Sequence, residues 1–209
     1  MKSVSENFKC FKKCLENRLE LHNFARSGDT FWKKIHDTVV VIEIQIDKKG
    51  EFTEGVKFTV NTGISVDVLR DVVGKVNAVR SFSPPSVEQC QWRQRLGRFL
   101  PAQGDIWWSV SDEPSVQSVC SEIATALIDH AFPKIEEMAS SDALIRSWQE
   151  DRGQGLTEYE RRRNLAQLLV ILESGDEAEM AIRALEEASL GKSWAISAAL
   201  QVKKLRAAL

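Results

Sequence analysis

His22-Asn23-Phe24-Ala25-Arg26-Ser27-Gly28-Asp29-Thr30-Phe31-Trp32-Lys33-Lys34-Ile35 joins the end of a helix, a Gly-Asp turn and the opening of a strand. The stretch decides the fold, because the residues before it have helical spacing and the residues after it have strand spacing. It specifies a scaffold and carries no reaction chemistry.

On its N-terminal side, Phe8, Phe11, Leu15 and Leu19 recur every three or four residues, with Lys9, Lys12, Lys13, Glu16 and Arg18 between them. That period predicts one amphipathic helix with Ser5 as its N-cap. On its C-terminal side, Thr30 to His36, Thr38 to Asp47 and Glu54 to Ile64 are rich in Val, Ile, Thr and aromatic residues and read as three strands in meander order. Asp47-Lys48-Lys49-Gly50 supplies a hairpin loop between the last two. In the middle strand the even-numbered Val40, Ile42, Ile44 and Ile46 predict the buried face.

Asp67 to Val79 reads as a short helix or irregular structure, and Ser81-Phe82-Ser83-Pro84-Pro85-Ser86 ends anything regular. Gln91 to Phe99 and Asp105 to Ser111 then read as two strands around a Pro101-to-Gly104 turn, bringing the sheet to about five strands. From Asp112-Glu113-Pro114 onward the pattern is helical, with an apolar stripe of Val116, Val119, Ile123, Ala126, Leu127 and Ala131 interrupted at Pro133. Thr157 with Glu160, and Asp176 with Glu179, have capping-box spacing. The expected fold is therefore α+β: an N-terminal helix on an antiparallel sheet of about five strands, a long helix, and a C-terminal helical appendage. We divide it into an α+β domain over 1–140 and a helical extension over 141–209, with Arg152-Gly153-Gln154-Gly155 as the flexible joint.

Lys and Arg number 28 against 30 Asp and Glu, a formal charge of -2 that excludes whole-molecule attraction to nucleic acid or anionic lipid. The N-terminus lacks an apolar secretory core and no apolar run spans a bilayer, so the expected location is the bacterial cytoplasm. Cys10, Cys14, Cys90 and Cys120 lack Cys-x-x-Cys spacing and are expected to be reduced.

Three stretches in order, His22 to Lys34, Phe58-Thr59-Val60-Asn61-Thr62-Gly63-Ile64 and Gly104-Asp105-Ile106-Trp107-Trp108, resemble a bacterial family catalogued as domain of unknown function 4304. The resemblance covers about residues 5 to 130. It implies a scaffold, with no established activity and no catalytic residues to carry over.

Cys10 and Cys14 could share a metal with His22 or His36, but the ligand set is incomplete, so no metal or other cofactor is assigned. Cys90 or Cys120 with His36 or His130 matches no cysteine-hydrolase signature, and no catalytic residue is assigned. Asp112-Glu113, Glu136-Glu137 and Asp176-Glu177 are read as helix-terminal or solvated charge, and Arg161-Arg162-Arg163 as a solvated helix face. The candidate partner-binding residues are Trp92, Arg93, Arg95, Arg98, Trp107 and Trp108. A strand puts Arg93 and Arg95 on one face and Trp92 on the other, and Trp and Arg are common interface anchors. Core filling by Trp92 and one residue of the Trp107-Trp108 pair is the competing reading. The function expected from the sequence is a non-enzymatic cytosolic protein-binding module, in its most specific form an immunity protein inhibiting a cognate bacterial toxin. The alternatives are a hydrolase-like enzyme with an unrecognised site and a nucleic-acid accessory protein.

Overall fold

In the computed structural model, residues 3–47, 54–71 and 83–209 are described. Helix α1 (Val4–Glu20) starts earlier than its spacing indicated, because Ser3 and not Ser5 caps it. Ser3 Oγ accepts from the Glu6 backbone N–H while the Glu6 carboxylate accepts from Ser3 N–H. Phe8, Phe11, Leu15 and Leu19 are buried as the period requires.

Among the described residues, six strands form the antiparallel sheet: β1 (Ala25–Ser27), β2 (Thr30–Ile35), β3 (Thr38–Ile46), β4 (Val56–Val66), β5 (Trp92–Arg95) and β6 (Trp108–Val110). The short β1 was not expected. Ser27 pairs with Thr30, leaving Gly28-Asp29 as a two-residue turn, and Gly28 takes φ +64°, a conformation glycine adopts without strain. Asp29 then holds α1 through Lys12, 2.7 Å away. β5 and β6 are shorter than expected and do not pair with each other. They lie end to end along β4, β5 against Asn61–Ile64 and β6 against Val56–Phe58. The expected Asp47-to-Gly50 loop and the Asp67-to-Ser86 excursion fall mostly on residues outside the described ones, apart from α2 (Asp67–Asp71) and the approach to a 3₁₀ turn at Val87–Gln89.

The even face of β3 does enter the main core: Val40, Ile42 and Ile44 join Phe11, Leu15 and Phe58 in one buried cluster. The odd face is buried too at one end, where Val39 and Val41 pack with Val87, Cys90 and Trp32. A one-sided reading of the alternation missed this because the second cover comes from the 83–91 segment, distant in sequence. At the other end of that face, Lys57, Thr59 and Asn61 of β4 and Gln45 of β3 are polar, and Asn61 Nδ2 donates to Gln45 Oε1 at 2.8 Å.

After β6, Asp112 caps α3 (Glu113–Thr125) as expected, accepting from Ser115 N–H at 2.9 Å, and Ser115 holds the Asp112 carboxyl below its ordinary pKa. The helix continues through one π-turn (Ala126–Ala131) into α4 (Phe132–Met138). Phe132 N–H reaches back five residues to Leu127 O, which widens the turn where Pro133 lacks a donor and would crowd residue 129. A disulfide joins Cys14 of α1 to Cys120 of α3, correcting the expectation of four reduced thiols.

The remaining helices are α5 (Ser141–Gln149), α6 (Glu158–Ile171), α7 (Gly175–Ser189) and α8 (Ala195–Arg206). Thr157 and Glu160 form their capping box, whereas Ser174 and not Asp176 precedes α7. Leu144, Trp148, Leu168, Ile182, Leu185 and Val202 share one buried cluster with the sheet and α1. Among the described residues no helix is long and apolar enough to cross a membrane.

Candidate functional site

The segment from Trp92 to Trp108 folds as a short strand, a 3₁₀ turn at Leu96–Arg98 and a loop returning to β6. Its alternation separates the six candidate residues. Trp92 and Trp108 face the core, each about 4% exposed. Their indole N–H groups are satisfied inside, Trp92 Nε1 donating to Gln154 Oε1 at 3.1 Å and Trp108 Nε1 to Glu122 at 2.8 Å.

Arg93 lies on the opposite face from Trp92 but is spent within the chain. Nε donates to Gly155 O at 2.7 Å, Nη1 to Glu88 O at 2.6 Å, and Nη2 to both Glu160 oxygens at 3.1 and 3.2 Å. The Arg93 backbone N–H donates to Gln154 O at 3.1 Å. A Cβ on Gly155 would stand 2.4 Å from Arg93 Cγ, and Gly155 has φ +73°, so only glycine lets this loop approach the strand edge. Residues 153–155, read from sequence as a flexible joint, are thus seated on β5. Burial opposes ionisation of Glu160, but Thr157 and Arg93 outweigh it and hold its pKa below the ordinary value.

The other three candidates come together at the surface. Trp107 is half-buried beside the polar end of the sheet face, with Lys57 Nζ 5.5 Å and Arg95 Cζ 5.7 Å from its ring centre. Arg95 Nη1 also pairs with Asp105 Oδ2 at 2.6 Å. Arg98 is exposed, and Nη1 donates to Gln103 O at 3.1 Å. The loop carrying these groups is pinned at two points. Thr59 Oγ1 donates to Ile106 O at 2.8 Å, and the Gly104 carbonyl sits 2.2 Å from where a Gly97 Cβ would be. Beside Arg95 opens a cleft of about 600 Å³, lined also by Gln94, Arg98, Gln103, Asp105 and Gln154 among others.

Lys57 escaped the sequence reading. A lone lysine is an ordinary surface residue, yet its period-two partners Thr59 and Asn61 mark the polar face, and that alternation was visible. Gln154 and Glu160 had no local signal, since they meet β5 only across more than sixty residues of chain.

The other candidate chemistry is dispersed. Cys14 is bonded to Cys120, which removes it from the Cys10-Cys14-histidine set, and His22 stacks edge-on against Phe132. Among the described residues no three His, Cys, Asp or Glu side chains are grouped to hold a metal. Glu136 reaches Lys33 and Glu137 pairs with Lys134. Arg161, expected in a solvated run, is instead buried, donating to Trp148 O at 2.6 Å and pairing with Asp151, because α6 packs that side against α5.

No curated protein and no solved structure matches this chain. Residues 16–137, which contain all six strands and the candidate surface, match the family model of a domain of unknown function, DUF4304, and the chain belongs to that family.

Proposed function

We propose that the chain is a non-enzymatic protein-binding module whose contact surface is Trp107 with Arg95, Arg98 and Lys57. The observation that carries this reading is Trp107 on a pinned loop with two cations, Lys57 and Arg95, 5.5 and 5.7 Å from its ring centre at the polar end of the sheet face. An aromatic fixed before binding loses little rotamer freedom on association, and Trp with Arg is the usual composition of an interface anchor. Arg93 is excluded from the contact set because its guanidinium serves the fold. Internal pairing of Arg95 with Asp105 favours a protein partner over nucleic acid, whose phosphate backbone needs several uncompensated cations.

The test is comparative capture from cells, using the full chain and the double variant Trp107→Ala/Arg98→Ala, with circular dichroism to show that both fold. A stoichiometric partner held by the wild type and lost by the double variant supports the reading. Equal capture by both overturns it. A bacterial toxin is the most specific partner we propose, and loss of the captured protein's own toxicity on binding reads that out in the same preparation.

A further inference from the structure

We infer that the cleft lined by Arg95 and Arg98 receives a carboxylate-bearing segment of the partner protein, and that Asp105 holds Arg95 in place of that carboxylate until it arrives. The inference deepens the proposed binding role and rests on it.

Arg93, Arg95 and Arg98 line the cleft with one carboxylate, Asp105, and the amides of Gln94, Gln103 and Gln154. Arg93 is occupied by Glu160, Gly155 and Glu88. The ligand-facing cations are therefore Arg95 and Arg98. Among the described residues Arg98 gives one hydrogen bond, from Nη1 to a neutral carbonyl, which leaves most of its fork for a planar acceptor. Arg95 lies against Trp107, whose ring keeps the guanidinium from swinging into solvent.

Asp105 makes the cleft switchable. Its side chain is 50% exposed and meets Arg95 through one oxygen only. An exposed ion pair of this kind contributes little, so exchanging Asp105 for an incoming Asp or Glu is nearly neutral, and the second arginine tips the balance toward the ligand.

The experiment is calorimetry of the full chain with a hexaglutamate peptide, with hexaglutamine as the neutral control and an oligothymidylate of matching charge as the nucleic-acid control. Wild type should bind hexaglutamate and not hexaglutamine. Arg98→Gln should weaken binding about fivefold, the loss of one exposed charge contact. Asp105→Asn should tighten it by a similar factor, about fivefold, because the competing carboxylate is gone. These opposite signs at two exposed side chains separate cleft binding from general attraction to basic surface. Unchanged or weaker binding by Asp105→Asn overturns the inference, as does tighter binding of the oligothymidylate than of the peptide. If hexaglutamate fails to bind while cellular capture still depends on Trp107, the carboxylate cleft falls and the binding role stands.

Discussion

Truncating Arg93 separates architecture from recognition in the Trp-Arg segment. From the sequence, Arg93 and Arg95 are equivalent residues on one strand face, and replacing both should barely alter stability. In the structure they differ. Arg93 is bound to two main-chain carbonyls and to the Glu160 carboxylate, at 2.6 to 3.2 Å. The Glu160 pair is partly solvent-screened and contributes about 1 kcal/mol. Each carbonyl contact, made by a charged donor at the surface, adds about 1 kcal/mol, so Arg93→Ala should cost about 3 kcal/mol. In a chain of this length that lowers Tm by about 6–12 °C. Arg95→Ala loses one exposed pair with Asp105 and should cost about 1 kcal/mol or less. Thermal melts by circular dichroism and urea midpoints for the two variants measure the difference. If they match within about 0.5 kcal/mol, Arg93 is not the clamp between β5 and the helices, and the assignment of roles fails.

Gly155→Ala, strained at φ +73° and blocked by Arg93, should destabilise by about 2 kcal/mol, read as a lower urea midpoint with an unchanged slope. The folded Glu160 pKa is lowered, so its stabilisation is complete above the unfolded-state value and disappears as pH falls through the folded value. Glu160→Gln should therefore flatten the acid limb of stability against pH, and an unchanged limb counts against the Glu160 network. The Cys14–Cys120 bond spans a separation of 106 residues and should add about 4–5 kcal/mol by the chain-entropy account, so reduction should lower Tm in the wild type and not in Cys14→Ala. Alkylation and mass mapping of the protein from its cells reads the compartment as well. With the cells lysed into denaturant and alkylating reagent, a linked Cys14–Cys120 pair indicates an oxidising location, and both alkylated is what the cytoplasmic location expected from the sequence requires.

The parts of the fold that depend on local chemistry were legible. The period of Phe8, Phe11, Leu15 and Leu19, the β-branched run of β3, and the caps at Asp112 and Thr157 each act within a few residues of themselves. Features set by distant pairing were not. β6 sits beside β4 and not beside β5, the odd face of β3 is covered by Val87 and Cys90, and Cys14 finds Cys120, all through contacts far apart in the chain. The candidate site divided in the same way. Alternation along β5 separated Trp92 from Arg93, but only the packing of Gly155 and Glu160 shows that Arg93 belongs to the fold while Arg95 faces outward. Helices α7 and α8 also leave Met180, Ile196 and Leu200 exposed, so the molecule has a second surface against which the Trp107 assignment is judged.

Hydrogen exchange of the full chain, free and bound to the captured partner, weighs those two surfaces directly. The account predicts slowed exchange across residues 94–107 and at Lys57 to Asn61, with α8 unchanged. Protection confined to α7 and α8 around Met180, Ile196 and Leu200, with 94–107 exchanging as in the free chain, would contradict it.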